Sequence, residues 1–435
     1  MGKILYTIFI LAYEAGFRLV GLFNNKAKVG IAGRKNIFAR INKELHNGDG
    51  LQKTSPSRHI WMHCASLGEF EQGRPVLEAL KSKFPAYSIV LSFFSASGYE
   101  AMKNYKGADH IFYLPFDGKA NAKKMVEAIN PSLVLWVKYE YWYYYLHELK
   151  RRNIPLLLVS GIFREGQPFF KWYGKIWREM LRCFTHFFLQ NEQSVALLAN
   201  ADIYNNITVT GDTRFDRVIE IAERFERMPL IEKFCGIHKV IVAGSTWEDD
   251  EAELIHYVRA HPEIRFIIAP HEIDAENLKD VRKEFTNSIF YAEWVAQHSN
   301  TDEQIITRED DAANVLIIDN VGMLSRLYHY ASIAYIGGGF GADGVHNVLE
   351  AAVYGKPVIY GPEFEKFAEA IELTECGAGI SIENALELEK VLDELWEDEL
   401  LLKTKGEAAR QYVYAHKGAS SKIIQFIQEK RLLTN

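Results

Sequence analysis

Residues 333–350 read IAYIGGGFGADGVHNVLE. Four mostly apolar residues run into Gly337-Gly338-Gly339, and two more glycines follow at 341 and 344. A short apolar run closed by glycines reads as a buried strand, and the change of period behind it reads as a strand–turn–helix unit. Five glycines exceed the need of one turn, because each costs ~0.5–1 kcal/mol of extra folding entropy. Backbone N–H groups at such a junction suit a phosphate. His346 and Asn347 open the expected helix. Glu350 follows His346 at i+4, on the same face, placed to grip ribose hydroxyls.

Outward from this unit the same rhythm repeats. Upstream come KVIVAGS (239–245), IRFIIAP (264–270), SIFYAE (288–293) and NVLIID (314–319); downstream come PVIYG (357–361) and GAGISI (377–382). Earlier still, 59–65, 87–94, 110–116, 132–137, 154–161, 185–190 and 206–211 read as seven more strands, with amphipathic stretches such as 72–83, 97–106 and 119–129 between them. Strands that are apolar almost throughout, alternating with helices, indicate parallel sheets covered on both faces. The charged segment 213–236 interrupts the rhythm. The expected organisation is therefore a first helix over 1–25, a doubly wound domain over 26–212, a linker over 213–236, a second doubly wound domain over 237–410 and a terminal helix over 411–435. Two such domains would face each other across a cleft, with ligands at the carboxyl ends of their strands.

The loops at those ends hold the candidate chemistry. After the first strand comes Ala65-Ser66-Leu67-Gly68-Glu69. An acid opening a helix stabilises its dipole by ~0.3–1 kcal/mol, and a carboxylate at the cleft edge can also take a proton from a hydroxyl. In the second half, Gly244 gives a ligand room near the backbone, and Ser245 and Thr246 can cap the helix that follows.

The chain totals constrain the function class. Of 435 residues, 48% are hydrophobic and 25% charged, which fits two or three globular domains. A net charge of −7 argues against a general nucleic-acid binder. Cys64, Cys183, Cys235 and Cys376 are scattered with no CxxC pair, so a zinc site is not expected and free thiols in a reducing compartment are.

Residues 4–23 match a bilayer span in length, but Glu14 and Arg18 interrupt them. On a helical projection Lys3, Thr7, Glu14 and Arg18 form one polar stripe. Such a helix lies in the interface, or inserts with its stripe against protein. Over 1–45 there are eight basic residues against two acidic, a net +6, which favours anionic lipid and a cytoplasmic face.

Taken in order, these motifs resemble the Kdo transferases, inverting GT-B glycosyltransferases that move 3-deoxy-D-manno-octulosonic acid from CMP-Kdo to lipid A precursors. The resemblance covers about residues 30–420 and rests on Leu67-Gly68-Glu69, Tyr113-Leu114-Pro115, Ala243–Thr246, Val321–Leu324, 337–350 and Gly361-Pro362. It implies a GT-B fold with an N-terminal membrane-associated helix, on the cytoplasmic face of the inner membrane. Glu69 would be the general base, and Ser66, Gly68, Lys138 and Glu140 would bind the acceptor, lipid IVA. The donor would lie on Gly244, Ser245, Thr246, Pro270, His271, Gly322, Met323, Gly338, Gly339, His346, Asn347 and Glu350. No cofactor or metal is implied beyond CMP-Kdo as donor substrate; the partners are CMP-Kdo, the lipid A precursor and membrane lipids. The chain departs from the family pattern at Lys138, where the family carries an acid, and at His271, where it carries an arginine; Val321 and Met323 also differ. The competing readings are another GT-B enzyme that uses a UDP-sugar, as transferase or 2-epimerase, and an inactive membrane scaffold.

Overall fold

A computed structural model describes residues 2–46, 58–138, 140–298 and 313–434; Tyr139 of the 138–142 motif lies outside them. All fourteen expected strands form. In the first sheet they are β1 (Arg58–Cys64), β2 (Tyr87–Phe93), β3 (His110–Tyr113), β4 (Pro131–Val137), β5 (Leu156–Gly161), β6 (His186–Leu189) and β7 (Ile207–Val209). In the second they are β8 (Val240–Thr246), β9 (Arg265–Pro270), β10 (Ser288–Phe290), β11 (Val315–Ile317), β12 (Ile333–Ile336), β13 (Val358–Tyr360) and β14 (Gly379–Ser381). The expected strand 288–293 stops at Phe290, where a helix takes over from Tyr291 to His298.

The first sheet runs β3-β2-β1-β4-β5-β6-β7 and the second β10-β11-β9-β8-β12-β13-β14. Every pairing is parallel. The order reverses between β1 and β4 in one sheet and between β8 and β12 in the other. Crevices open at these switch points, at the carboxyl ends of the strands. The loops 65–69, 138–142, 244–247 and 337–347 are the ones placed there.

The chain divides into two compact units, residues 1–217 with 418–435, and residues 218–417. The boundary differs from the expectation in two ways. Residues 213–236 are mostly helix, over Thr213–Glu223 and Pro229–Cys235, and bury Phe215, Val218 and Ile219. The terminal amphipathic stretch breaks at Gly418 (φ +112°) into helices Glu399–Ala415 and Ala419–Glu429. The Asp216 carboxylate accepts from Gly418 N and Ser420 N, both at 2.6 Å, and caps the last helix. Ile423, Ile424 and Ile427 then pack with Phe70, Val76, Leu77 and Leu80 in the core of the first unit.

The first helix, Gly2–Val20, is docked onto the first unit by the side that carries Tyr6, Thr7, Ile10 and Phe17; of its polar stripe, Thr7 joins this contact, while Arg18 stays 67% exposed. The Tyr6 hydroxyl donates to Asp117 (2.7 Å) and accepts from Tyr143 N (3.1 Å), and Thr7 shares a 2.6 Å hydrogen bond with Tyr144. Asp117 also accepts from Tyr144 N and Tyr145 N, capping helix Tyr143–Arg151 from outside; burial pushes its carboxyl up to about 6 despite these bonds. Tyr13 and Phe17 meet Phe116, and Ile10 is buried. The opposite side leaves Ile4, Leu5, Ile8, Phe9, Leu11 and Leu19 each about 60% exposed. Among the described residues, no helix is long and apolar enough to cross a membrane.

Candidate functional site

In the first unit the site is built around the β1 loop. Ser66 is the N-cap of helix Leu67–Lys83 and accepts from Glu69 N at 3.4 Å. The Glu69 carboxylate folds back and accepts a short hydrogen bond from Ala65 N. These reciprocal bonds resemble a capping box and hold an acid, 7% exposed, at the helix start. Gly68 has open space on its side-chain side, with no atom within 4 Å of where a Cβ would stand. Packing in this unit therefore gives no reason for a glycine there.

The β4 loop brings Glu140 beside β1. Trp142 Nε1 donates to Glu140 Oε2 at 2.8 Å, and His63 Nε2 lies 3.4 Å from the same oxygen. His63 is buried in β1 opposite Ser92 of β2 and Trp136 of β4. Lys138 takes a different direction. Its backbone is left-handed (φ +53°), and its charge acts on Asp212. Burial raises the Asp212 carboxyl, but Arg214 at 2.8 Å and Lys138 outweigh burial and hold it below the ordinary value. The two acceptor candidates of one loop thus serve different neighbourhoods.

In the second unit the loops after β8, β9, β12 and β13 pack backbone against backbone. A Cβ on Gly337 would stand 2.3 Å from Ser245 O, and one on Gly339 would stand 2.5 Å from Gly361 N. Gly338 has φ +90°, and a Cβ there would meet Gly344 O. Gly344 has φ +83°, and a Cβ there would stand 2.7 Å from Glu363 O, so four of the five glycines have a steric reason inside the protein. Residues 339–344 have GxGxxG spacing, yet the following helix is a single turn, Leu349–Ala352. His346 and Asn347 precede that turn rather than opening a longer helix, so no helix N-terminus stands ready for a phosphate. Glu350 consequently does not share a helix face with His346. It accepts from Asn347 Nδ2 at 3.0 Å, while Asn347 Oδ1 receives Leu349 N.

One residue outside the sequence-derived set ties these loops together. Asp250, fully buried, accepts from Gly338 N (2.8 Å), Trp247 N (2.9 Å) and the Tyr335 hydroxyl (3.0 Å). Burial raises its carboxyl, and the three donors partly offset that. The only sequence signal was its position three residues after Trp247, the spacing of an N3 acid. Its neighbour Glu251 receives the Thr246 hydroxyl at 2.8 Å, and burial raises its carboxyl to about 7. Thr246 is buried with its hydroxyl committed inward, whereas Ser245 is half-buried with φ +56°. Pro270 ends β9 in the core, and His271 N bonds Thr246 O.

Trp247, His271 and His346 form a ladder of rings, with centroids 4.5 Å apart at each step and nearly parallel planes. Trp247 Nε1 donates to His346 Nε2 at 3.1 Å, which places the His346 proton on Nδ1. Burial and the neighbouring His271 keep His346 neutral, pushed down to about 4. Trp247 was not among the expected site residues. The Gly322 turn (φ +88°) leads into the Leu324–Leu327 helix, which packs on Gly244; Met323 itself is buried and Val321 exposed. Among the described residues, no group of three or more His, Cys, Asp or Glu side chains could hold a metal ion.

Known proteins agree with this architecture. A family model described as "3-Deoxy-D-manno-octulosonic-acid transferase (kdotransferase)" matches residues 35–217. The chain is 27% identical over 344 residues to 3-deoxy-D-manno-octulosonic acid transferase of Aquifex aeolicus, covering 77% of this chain and 85% of that protein. It is 23% identical to the Haemophilus influenzae protein of the same name, covering 87% and 88%. It is 27% identical to a bifunctional glycosyltransferase/methyltransferase of Fusobacterium nucleatum, but spans about half of that protein's length, 54%. Among solved structures, UDP-GlcNAc 2-epimerase of Neisseria meningitidis bound to UDP-GlcNAc is similar with a TM-score of 0.61 at 15% identity, covering 85% of this chain and all of that one. That likeness shows the fold alone: two parallel-sheet α/β domains of GT-B-like type. The relatives' sequence similarity runs across both units, and the chain is similar to the Kdo transferases, which are glycosyltransferases.

Proposed function

We propose that this chain is an inverting glycosyltransferase that moves Kdo from CMP-Kdo to the lipid A precursor lipid IVA in lipopolysaccharide synthesis. The observation that carries the reading is the Glu69 carboxylate, held by Ala65 N at the switch point of the first sheet beside the open side of Gly68. Glu69 takes the proton of the acceptor sugar hydroxyl as that oxygen attacks the anomeric carbon of Kdo, and CMP leaves with the bond electrons. Glu140, and Lys138 by its charge, orient the acceptor. The donor lies on the second unit, against the Gly337–Gly339 backbone, Ser245 and the exposed His271 ring, whose N–H faces the leaving phosphate. Asn347 and Glu350 act on the nucleoside as a hydrogen-bonded pair. In this scheme no step passes through a metal ion.

The enzyme works at the cytoplasmic face of the inner membrane. Supporting this are the exposed apolar side of the first helix and the net positive charge of residues 1–45. The side that carries Tyr6, Thr7 and Ile10 is turned to the protein, which leaves the exposed apolar side for the bilayer, so the helix lies along the interface.

The test is incubation of the purified protein with CMP-Kdo generated in situ and a tetraacyl lipid A precursor, with mass spectrometry of the lipid. A gain of one or more Kdo units supports the proposal. No gain, with a known transferase active in parallel, overturns it; turnover of a UDP-sugar instead would establish the alternative GT-B reading.

A further inference from the structure

The core of the first unit contains a line of polar groups that its packing does not require. Trp61 and His63 on β1, Ser92 on β2 and Trp136 on β4 lie on one face of the sheet, all fully buried. Trp61 Nε1 donates to Ser92 Oγ at 2.8 Å, and Ser92 Oγ lies 2.9 Å from His63 Nδ1. An indole N–H only donates, so Ser92 Oγ is an acceptor there. If the hydroxyl proton goes to His63 Nδ1, all three groups are satisfied; if His63 Nδ1 carried the proton, the Ser92 hydroxyl hydrogen would need another partner in an apolar core. A buried hydroxyl without a partner costs ~1–3 kcal/mol on mutational data, so the first arrangement prevails. The proton of His63 is then fixed on Nε2, which points at Glu140 Oε2.

Glu140 Oε2 thus receives two donors, Trp142 Nε1 at 2.8 Å and His63 Nε2 at the long distance of 3.4 Å. Trp136 Nε1 donates to the Glu140 carbonyl and holds the backbone, and the Trp136 ring lies 4.3 Å from the His63 ring. Oε1 has no hydrogen-bond partner among the described residues, and the side chain is 25% exposed. One oxygen is tethered from the core, and the other is held by no hydrogen bond among the described residues.

We propose that His63 is a positioning residue. Through the Trp61–Ser92–His63 chain it fixes the Glu140 carboxylate so that Oε1 is offered to a hydrogen-bond donor on the acceptor, a sugar hydroxyl. This rests on the reading of Glu140 as an acceptor-binding group. His63 touches no substrate; it sets which oxygen is free and where it points.

The experiment combines a tautomer measurement with a kinetic series on the full chain. With 15N-histidine labelling, the resonance lost in His63→Gln should show the Nε2–H tautomer in the wild type; an Nδ1–H tautomer overturns the proposal. His63→Leu should raise the KM for the lipid A precursor about tenfold with a smaller effect on kcat. His63→Gln, whose amide can donate to Glu140, should recover most of that loss. Ser92→Ala, the mildest change to the core, should raise the same KM a fewfold while the KM for CMP-Kdo stays put. Equal losses in kcat and both KM values, without rescue by glutamine, would mean a merely structural histidine. Glu140→Ala separates the two levels. If it leaves the acceptor KM unchanged, the reading of Glu140 falls; if it raises that KM while Ser92→Ala and His63→Leu do not, only the relay falls.

Discussion

Replacing Asp250 by alanine should loosen the whole glycine-rich region of the second unit. The substitution strands three donors: Gly338 N, the Tyr335 hydroxyl and Trp247 N. The first two are buried, and each costs ~1–3 kcal/mol when left unpaired. Trp247 N, in the half-buried first turn of helix Glu248–Ala260, can turn to water and adds little. Against this stands relief from burying a carboxylate whose pKa burial has raised. The net loss should be about 2–3 kcal/mol. For a unit of this size, residues 218–417, that lowers the melting temperature by ~4–12 °C. Scanning calorimetry reads the transition of this unit, and titration calorimetry with CMP reads the donor site. CMP should bind at least about tenfold more weakly, as expected for ~1.4 kcal/mol spent on ordering the released loop. Asp250→Asn keeps one acceptor oxygen and should lose about half as much. A melting temperature within about 1 °C of wild type, with unchanged CMP affinity, would refute the argument that this carboxylate holds the loops together.

Three further outcomes are expected. Glu69→Ala should lower kcat by ~10²-fold or more with CMP-Kdo affinity nearly unchanged, measured by steady-state transfer and CMP-Kdo binding; near-normal turnover removes Glu69 as base. Ile8→Glu with Phe9→Glu, on the exposed side of the first helix, should abolish flotation with anionic vesicles without lowering the melting temperature, because neither residue is in the docking contacts. Glu251→Gln should stabilise the fold above about pH 7 and make no difference below about pH 4.5. The folded carboxyl titrates near 7, above its unfolded value of 4.5, so ionisation costs the native state progressively as pH rises through that window, up to about 3 kcal/mol. A stability difference that grows toward acid pH would contradict the burial argument.

The strand set and the parallel α/β class were legible because buried parallel strands are apolar on both faces, and that leaves a mark in a few consecutive residues, as in Ile333–Ile336 or Leu133–Val137. The helix start at Glu69 was legible for the same reason, whereas its cap by Ser66 emerged only from the structure. The polar stripe Lys3, Thr7, Glu14, Arg18 was visible too, but two orientations were consistent with it. Only the packing of Tyr6 on Asp117 and Tyr143 decided which side faces the protein, and it left the stripe at the edge of that contact, with Thr7 joined to Tyr144 and Arg18 exposed. Local sequence likewise suggested a helix from His346; with Gly337 packed on Ser245 and Gly339 on Gly361, the chain instead runs through turns and irregular backbone until Leu349.

What the sequence by itself determined is whatever depends on neighbours along the chain: the elements, the glycine-rich junction and the family motifs; the expected cap by Ser245 and Thr246 did not form, because Trp247 is the N-cap of that helix and the Thr246 hydroxyl bonds Glu251. Tertiary structure alone decided the strand orders, the return of residues 418–435 to the first unit, the roles of Asp250 and Glu251, and the line from Trp61 through Ser92 and His63 to Glu140. Some of their partners are far apart along the chain, as are Gly338 and Asp250, 88 residues apart, and Gly418 and Asp216, 202 residues apart. Most of these pairings arise from the register of parallel strands and the crossing of distant loops. A buried polar group must find its partner, but no local pattern says which distant residue the folded backbone brings within 3 Å.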